Sequence, residues 1–300
     1  MLSGVFVPLV TPFLGTGLDE DSFAHHIEMQ LAAGVSGLIT GGIVGEGPTL
    51  TPAESTRLIR LAVETAAGRV PIIAMTGTNG TATTIAATCA AHEAGASAAL
   101  LVTPYYNKPT QAGLFAHFEA IARAVDLPLI LGNAPRRTNV ALAPETINRL
   151  GQLPSIFALV DESEDAGHQR ALADACAERL WRVAPDCRTP FLPGLRPPRA
   201  CICAAANIAP RLCVEIWRQR LAGPAALLRN GVASLDILQH ALDLEPEPAG
   251  VKYAVSLLTP TFGPALRLPL TEPGPASAAA IRVAVAALAR LPLHQTSLAS

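Results

Sequence analysis

Between residues 5 and 204 the chain carries eight short apolar runs, and a stretch with helical spacing follows each of the first six. The apolar runs cover 5–13, 37–40, 70–76, 98–102, 128–132, 156–160, 181–184 and 200–204. Strands separated by helices cannot pair as hairpins, so they predict a parallel sheet with helices outside it. Eight such units in about 200 residues fit a closed (β/α)8 TIM barrel. The alternative is an open doubly wound sheet, but no G-x-G-x-x-G opens a helix here. Thr51-Pro52-Ala53-Glu54 carries the chemistry of a capping box, with proline at the first helical position.

After Pro210 the spacing becomes purely helical over 211–221, 224–242, 251–258 and 276–291. Residues 1–210 are therefore expected to form the barrel, and 211–300 a helical extension packed on it. Four prolines in 189–198 speak against a regular helix there, and the tail 292–300 is expected to be loose.

The charge balance removes several classes of function. The 300 residues carry a net charge of -2 and are half hydrophobic. No basic stripe exists for nucleic acid or an anionic membrane. Charged residues interrupt every long apolar stretch before it reaches the roughly 18–20 residues of a membrane span. The first residues have no basic region ahead of an apolar one, so a cytoplasmic protein without a signal peptide is expected.

Six cysteines (Cys89, Cys176, Cys187, Cys201, Cys203 and Cys213) include no C-x-x-C pair. They read as reduced thiols serving as small apolar side chains, with Cys201 and Cys203 on one face of a strand. No metal site is evident from their spacing. His25 and His26, on the first helix, have no partner motif and are assigned to the surface. Of the 22 basic residues only Lys108 and Lys252 are lysines.

Several motifs in one order carry a resemblance. They are Val7-Pro8-Leu9-Val10-Thr11-Pro12-Phe13, the loop Gly45-Glu46-Gly47-Pro48-Thr49-Leu50, and Thr103-Pro104-Tyr105-Tyr106-Asn107-Lys108-Pro109. Asn133-Ala134-Pro135-Arg136-Arg137-Thr138, Ala206-Asn207 and Val251-Lys252 complete the set. Across nearly its whole length the chain resembles the dihydrodipicolinate synthase/N-acetylneuraminate lyase family. The resemblance implies a TIM barrel, class I pyruvate aldolase or lyase chemistry, no cofactor, and an oligomer. In that chemistry a barrel lysine forms a Schiff base with the pyruvate ketone, a tyrosine–threonine–tyrosine relay moves protons, and loop groups hold the carboxylate.

Matched position by position, the chain departs from this pattern. The strand-six lysine falls on Val160, the strand-five tyrosine on Gly132, the two loop threonines on Ile43 and Val44, and the loop serine on Gly47. Neither remaining lysine is expected on an inward-facing strand position. Tyr106 and Asp161 are the candidate catalytic remnants. Gly45, Glu46, Tyr105 and Arg137 are the candidate substrate-binding residues, with Arg137 open either to a carboxylate ligand or to a structural ion pair. Ile43 and Val44 are expected either to close a disused pocket or to shape an apolar one. The acidic run 161–165 reads as a solvated helix N-terminus or, alternatively, a hard-cation site. Asp186 and Cys187 form a further pair on the catalytic face.

Two functions follow. One is a family member without Schiff-base activity, binding a small carboxylate or keto acid or serving a structural role. It would assemble as a homodimer or homotetramer or with an active paralogue. The other is a working lyase or aldolase on a keto-acid substrate, with rebuilt catalytic groups.

Overall fold

Each apolar run becomes one parallel strand. The computed structural model describes residues 2–163, 165–175, 179–189, 197–222 and 226–290. The strands are β1 (Gly4–Pro8), β2 (Gly37–Gly41), β3 (Ile72–Met75), β4 (Ala98–Val102), β5 (Leu129–Asn133), β6 (Ile156–Asp161), β7 (Trp181–Ala184) and β8 (Ala200–Ile202). They close in chain order, with β8 pairing β1, into a (β/α)8 TIM barrel. The first strand is shorter than expected. It ends at Pro8, and a small hairpin pairs Phe13 with Leu18 beyond it. The eighth ends at Ile202 and gives way to a short 3-10 turn over Ala204–Asn207.

The two-residue period of a strand decides what fills the barrel. Phe6, Ile39, Ile73, Leu100, Ile130, Ala158 and Val160 share one buried cluster inside it. Their neighbours Val7, Leu38 and Ile72 belong to an outer cluster, and Leu101, Leu131 and Leu159 to a second one. The register between β5 and β6 shifts by one residue, so that Leu129 faces Ile156 but Ile130 faces Ala158. This bulge leaves Phe157 unpaired and keeps Ala158 and Val160 inward.

The outer cluster joins barrel residues such as Val5 and Leu9 to Leu235, Leu238, Val251 and Ile281 of the C-terminal helices. Those helices are Pro210–Ala222, Ala226–Leu242, Ala249–Leu258 and Pro275–Leu288. Helix Pro52–Ala66 starts with the predicted capping box, Thr51 accepting from the Glu54 N–H and Glu54 from the Thr51 N–H. Most of the proline-rich segment (190–196) and the tail 292–300 lie outside the described residues. Among those residues no helix is long and apolar enough to cross a membrane.

His26 is not on the surface. It is fully buried, and its Nε2 lies 2.9 Å from Asn207 Oδ1. That oxygen also accepts from the Val10 N–H, while Asn207 Nδ2 donates to the carbonyls of Pro8 and Ala204. One amide thus ties the end of β1, helix Glu20–Ala32 and the turn after β8 together. His25, its neighbour, is exposed as expected.

Candidate active site

Val160 points into the barrel and is 5% exposed, packed with Ile130, Ala158 and Val183. Across the ladder it faces Gly132 of β5. A Cβ on Gly132 would lie 3.3 Å from both Leu101 O and Val102 Cα, so the β4 backbone leaves a side chain there little room.

Alternation turns the next residue the other way. Asp161 is buried outside the barrel, accepting from Asn133 Nδ2 at 2.6 Å and Gln169 Nε2 at 2.7 Å. His168 Nε2 stands 3.8 Å from its carboxylate. Burial pushes the Asp161 carboxyl above its ordinary range, and the Asn133 amide opposes this. Asp165 caps the following helix, accepting from the Gly167 and His168 N–H groups. Glu164 lies outside the described residues. Among those described, the acidic run forms no converging ligand set.

The loop after β2 is tightly self-bonded. The N–H groups of Gly45, Glu46 and Gly47 donate to the carbonyls of Gly41, Ile43 and Gly42, and Thr11 Oγ1 donates to Gly45 O at 2.7 Å. A Cβ at Gly45 would lie 2.6 Å from Gly41 O, so only glycine fits. Glu46, held at φ 55°, turns into the protein and meets Lys252 Nζ at 2.6 Å, both side chains being fully buried. The Arg267 N–H donates to the other Glu46 oxygen, and Phe13 lies under the ammonium at 4.1 Å. Burial pulls the Lys252 ammonium below its ordinary range, and Glu46 opposes this. Val44 is buried in the outer cluster, not in the barrel interior with Val160, and Ile43 is half-buried.

Tyr105 and Tyr106 sit on the loop after β4. The Asn107 N–H reaches back to Tyr105 O, closing a three-residue γ-turn with Tyr106 at φ 73° and 92% exposed. An aromatic residue in that region is a backbone outlier. Lys108 follows, also exposed. Arg137, on the short helix Pro135–Thr138, pairs with the Glu247 carboxylate from the C-terminal segment. Burial raises the Glu247 carboxyl, and Arg137 opposes this. Asp186 is held by Arg188 at 3.0 Å, and burial pushes its carboxyl up to about 6. Cys187 is buried beside Cys203 and Cys213, 3.5 Å from Cys203.

A cavity of about 710 Å³ opens at the opposite end of the barrel, lined by Leu2, Pro71, Ser97, Pro128, Ser155 and Trp181 among others. These residues begin or precede strands, which marks the N-terminal face, away from the usual catalytic end.

The model of the dihydrodipicolinate synthetase family matches residues 1–287. The chain belongs to this family. A relative from Rhodospirillum centenum, named 4-hydroxy-tetrahydrodipicolinate synthase, is 41% identical over 95% of this chain and 98% of its own length. The crystal structure of dihydrodipicolinate synthase from Aquifex aeolicus superposes with a TM-score of 0.90 at 33% identity, covering 96% of this chain and 98% of that one. A chloride-inhibited dihydrodipicolinate synthase from Acinetobacter baumannii, complexed with pyruvate, is 36% identical with a TM-score of 0.89, covering 95% and 98%.

The residues singled out in the sequence occupy different surroundings. Val160 is inside the barrel, Asp161 outside it, Tyr106 in solvent, and Glu46 beneath the C-terminal helices. Sequence reasoning missed Glu247 as the partner of Arg137, the Glu46–Lys252 pair and the His26–Asn207 latch. Each joins segments more than 100 residues apart. Glu46 and Lys252 both lay in quoted motifs, yet nothing in the spacing said that they meet.

Proposed function

We propose that this dihydrodipicolinate synthetase family member has lost Schiff-base chemistry and keeps a binding or structural role, as an assembly of copies of itself or with an active relative. The observation that carries this reading is the place of Val160. It fills the inward position of β6 with branched apolar bulk, and no lysine stands in the barrel interior. Lys108 is in an exposed loop, and Lys252 is held by Glu46 outside the barrel. A neutral amine in reach of the substrate ketone is what the covalent step requires. Arg137, the remaining anion ligand of the resemblance, already holds an internal carboxylate. The exposed Tyr106, fixed in a γ-turn, suits a contact with a second copy.

A second reading has its own support. Relatives about 40% identical over most of the chain are named as synthases, which favours a working lyase or aldolase on a keto acid with rebuilt catalytic groups.

Borohydride trapping with pyruvate, read by intact mass, separates the two. The wild-type protein is expected to give no adduct, and incubation in D2O to leave the pyruvate methyl unexchanged. A specific single adduct on the wild-type chain would sink the main reading. Methyl exchange without an adduct would favour rebuilt, non-covalent catalysis. Val160→Lys is expected to be trapped where the wild type is not, since burial would hold its amine neutral.

A further inference from the structure

Cys187, Cys203 and Cys213 come from three separate elements and meet at the C-terminal end of the barrel. Cys187 lies in the turn after β7, where Asp186 accepts from the Arg188 N–H at 2.6 Å. Cys203 directly follows β8, with its N–H on Phe6 O at 3.0 Å. Cys213 is in helix Pro210–Ala222, with its N–H on Ala209 O. Cys201, in β8, and Cys203, just past its end, lie in the outer cluster with Cys213 of the helix. Cys203 Sγ is 3.5 Å from Cys187 Sγ and 3.7 Å from Cys213 Sγ, and all three lie within 4.8 Å of one another.

We propose that Cys187, Cys203 and Cys213 form a three-sulfur binding site for a soft monovalent metal ion, Cu(I). An ion with metal–sulfur bonds of about 2.3 Å holds three sulfurs in its plane about 4 Å apart, close to the spacing already present. The sulfurs are carried by a strand end, a helix and a pinned turn, so little ordering remains to be done on binding. Thiolate donors select soft ions over Mg2+ or Ca2+, which take oxygen. Among the described residues no fourth His, Cys, Asp or Glu joins the group. Zn2+ in a structural site takes four ligands. A water completing its shell would need polar partners, whereas the three thiols lie within an apolar cluster. Three-coordinate Cu(I) needs neither. Each sulfur that ligates gives up its proton to solvent, and no electron is transferred. Arg220, which donates to the carbonyls of Arg188 and Thr189, brings positive charge to the same end, while the Arg188 charge is held by Asp186 and Asp236.

The test is an anaerobic titration of the reduced, metal-free full-length protein with Cu(I) held by a chromophoric chelator. Bound copper is counted by elemental analysis and its ligands are read by X-ray absorption. One equivalent is expected, with a sulfur-only shell and a near-ultraviolet thiolate-to-copper band. Cys89→Ser, remote and partly exposed, is expected to keep both. Cys203→Ser and Cys213→Ala are expected to lose the band and the bound equivalent. The Cys213 change replaces one small apolar side chain with another, and its metal-free thermal transition reports whether the fold survives. Copper left on the chelator by wild type, a nitrogen or oxygen shell, retention by a folded Cys213→Ala variant, or loss in Cys89→Ser would each overturn the proposal.

Discussion

His26 shows how one buried side chain gives this chain a pH dependence. Its Nε2 is committed to Asn207, its Nδ1 has no partner, and burial holds its pKa down to about 4. The unfolded chain protonates this ring near 6.5, the folded chain only near 4. The stability that His26 contributes is therefore complete above the higher value and is lost as pH falls from about 6.5 toward 4. The amount at stake is on the order of 3 kcal/mol. Urea unfolding across that window is expected to show the decline, and His26→Gln to flatten it. Burial holds His117 below its ordinary range as well, with the same sign, whereas the raised Asp186 carboxyl acts in the opposite sense over part of this window, so the difference between the two proteins is what reports His26. Equal slopes in the two proteins would rule His26 out as the source. Sequence gave no warning of this. A histidine pair on an amphipathic helix looks solvated, and only the distant Asn207 explains why one ring is buried.

Between elements, the Glu46–Lys252 pair joins the loop after β2 to helix Ala249–Leu258. A buried pair of this kind is weak evidence for net stability, but breaking it by removing one partner costs about 3–5 kcal/mol. Lys252→Met is expected to lose that much in urea unfolding, because the Glu46 carboxylate stays buried. Glu46→Gln in the Lys252→Met background is expected to recover part of the loss. A single-variant loss well under 1 kcal/mol would mean that water reaches the carboxylate. The elements themselves were largely readable, because a two-residue period and a capping box act within a few residues. The ends of β1 and β8 were not. Their apolar runs continue past the last ladder bond, and the closing of the barrel decides where pairing stops.

For the molecule as a whole, the sequence pattern places a boundary at residue 210, whereas a single apolar cluster runs from β1 to helix Pro275–Leu288. A chain ended after Pro210 would expose the outer face of β1 and leave Glu46 without its cation. It is expected to show no cooperative thermal transition, and a fragment that melts sharply would instead make the extension a separable unit. The barrel was legible because eight repeats admit few closures. The proposed loss of Schiff-base chemistry was legible only as Val160 at the position matched to the lysine, since partners such as Glu247 come from far along the chain. Gly132 bears on what this barrel could be made to do. A lysine at Val160 is one substitution away, but a tyrosine at Gly132 must push back β4 backbone that stands 3.3 Å from its first carbon. Building the first group into this barrel is therefore open, and building the second is obstructed.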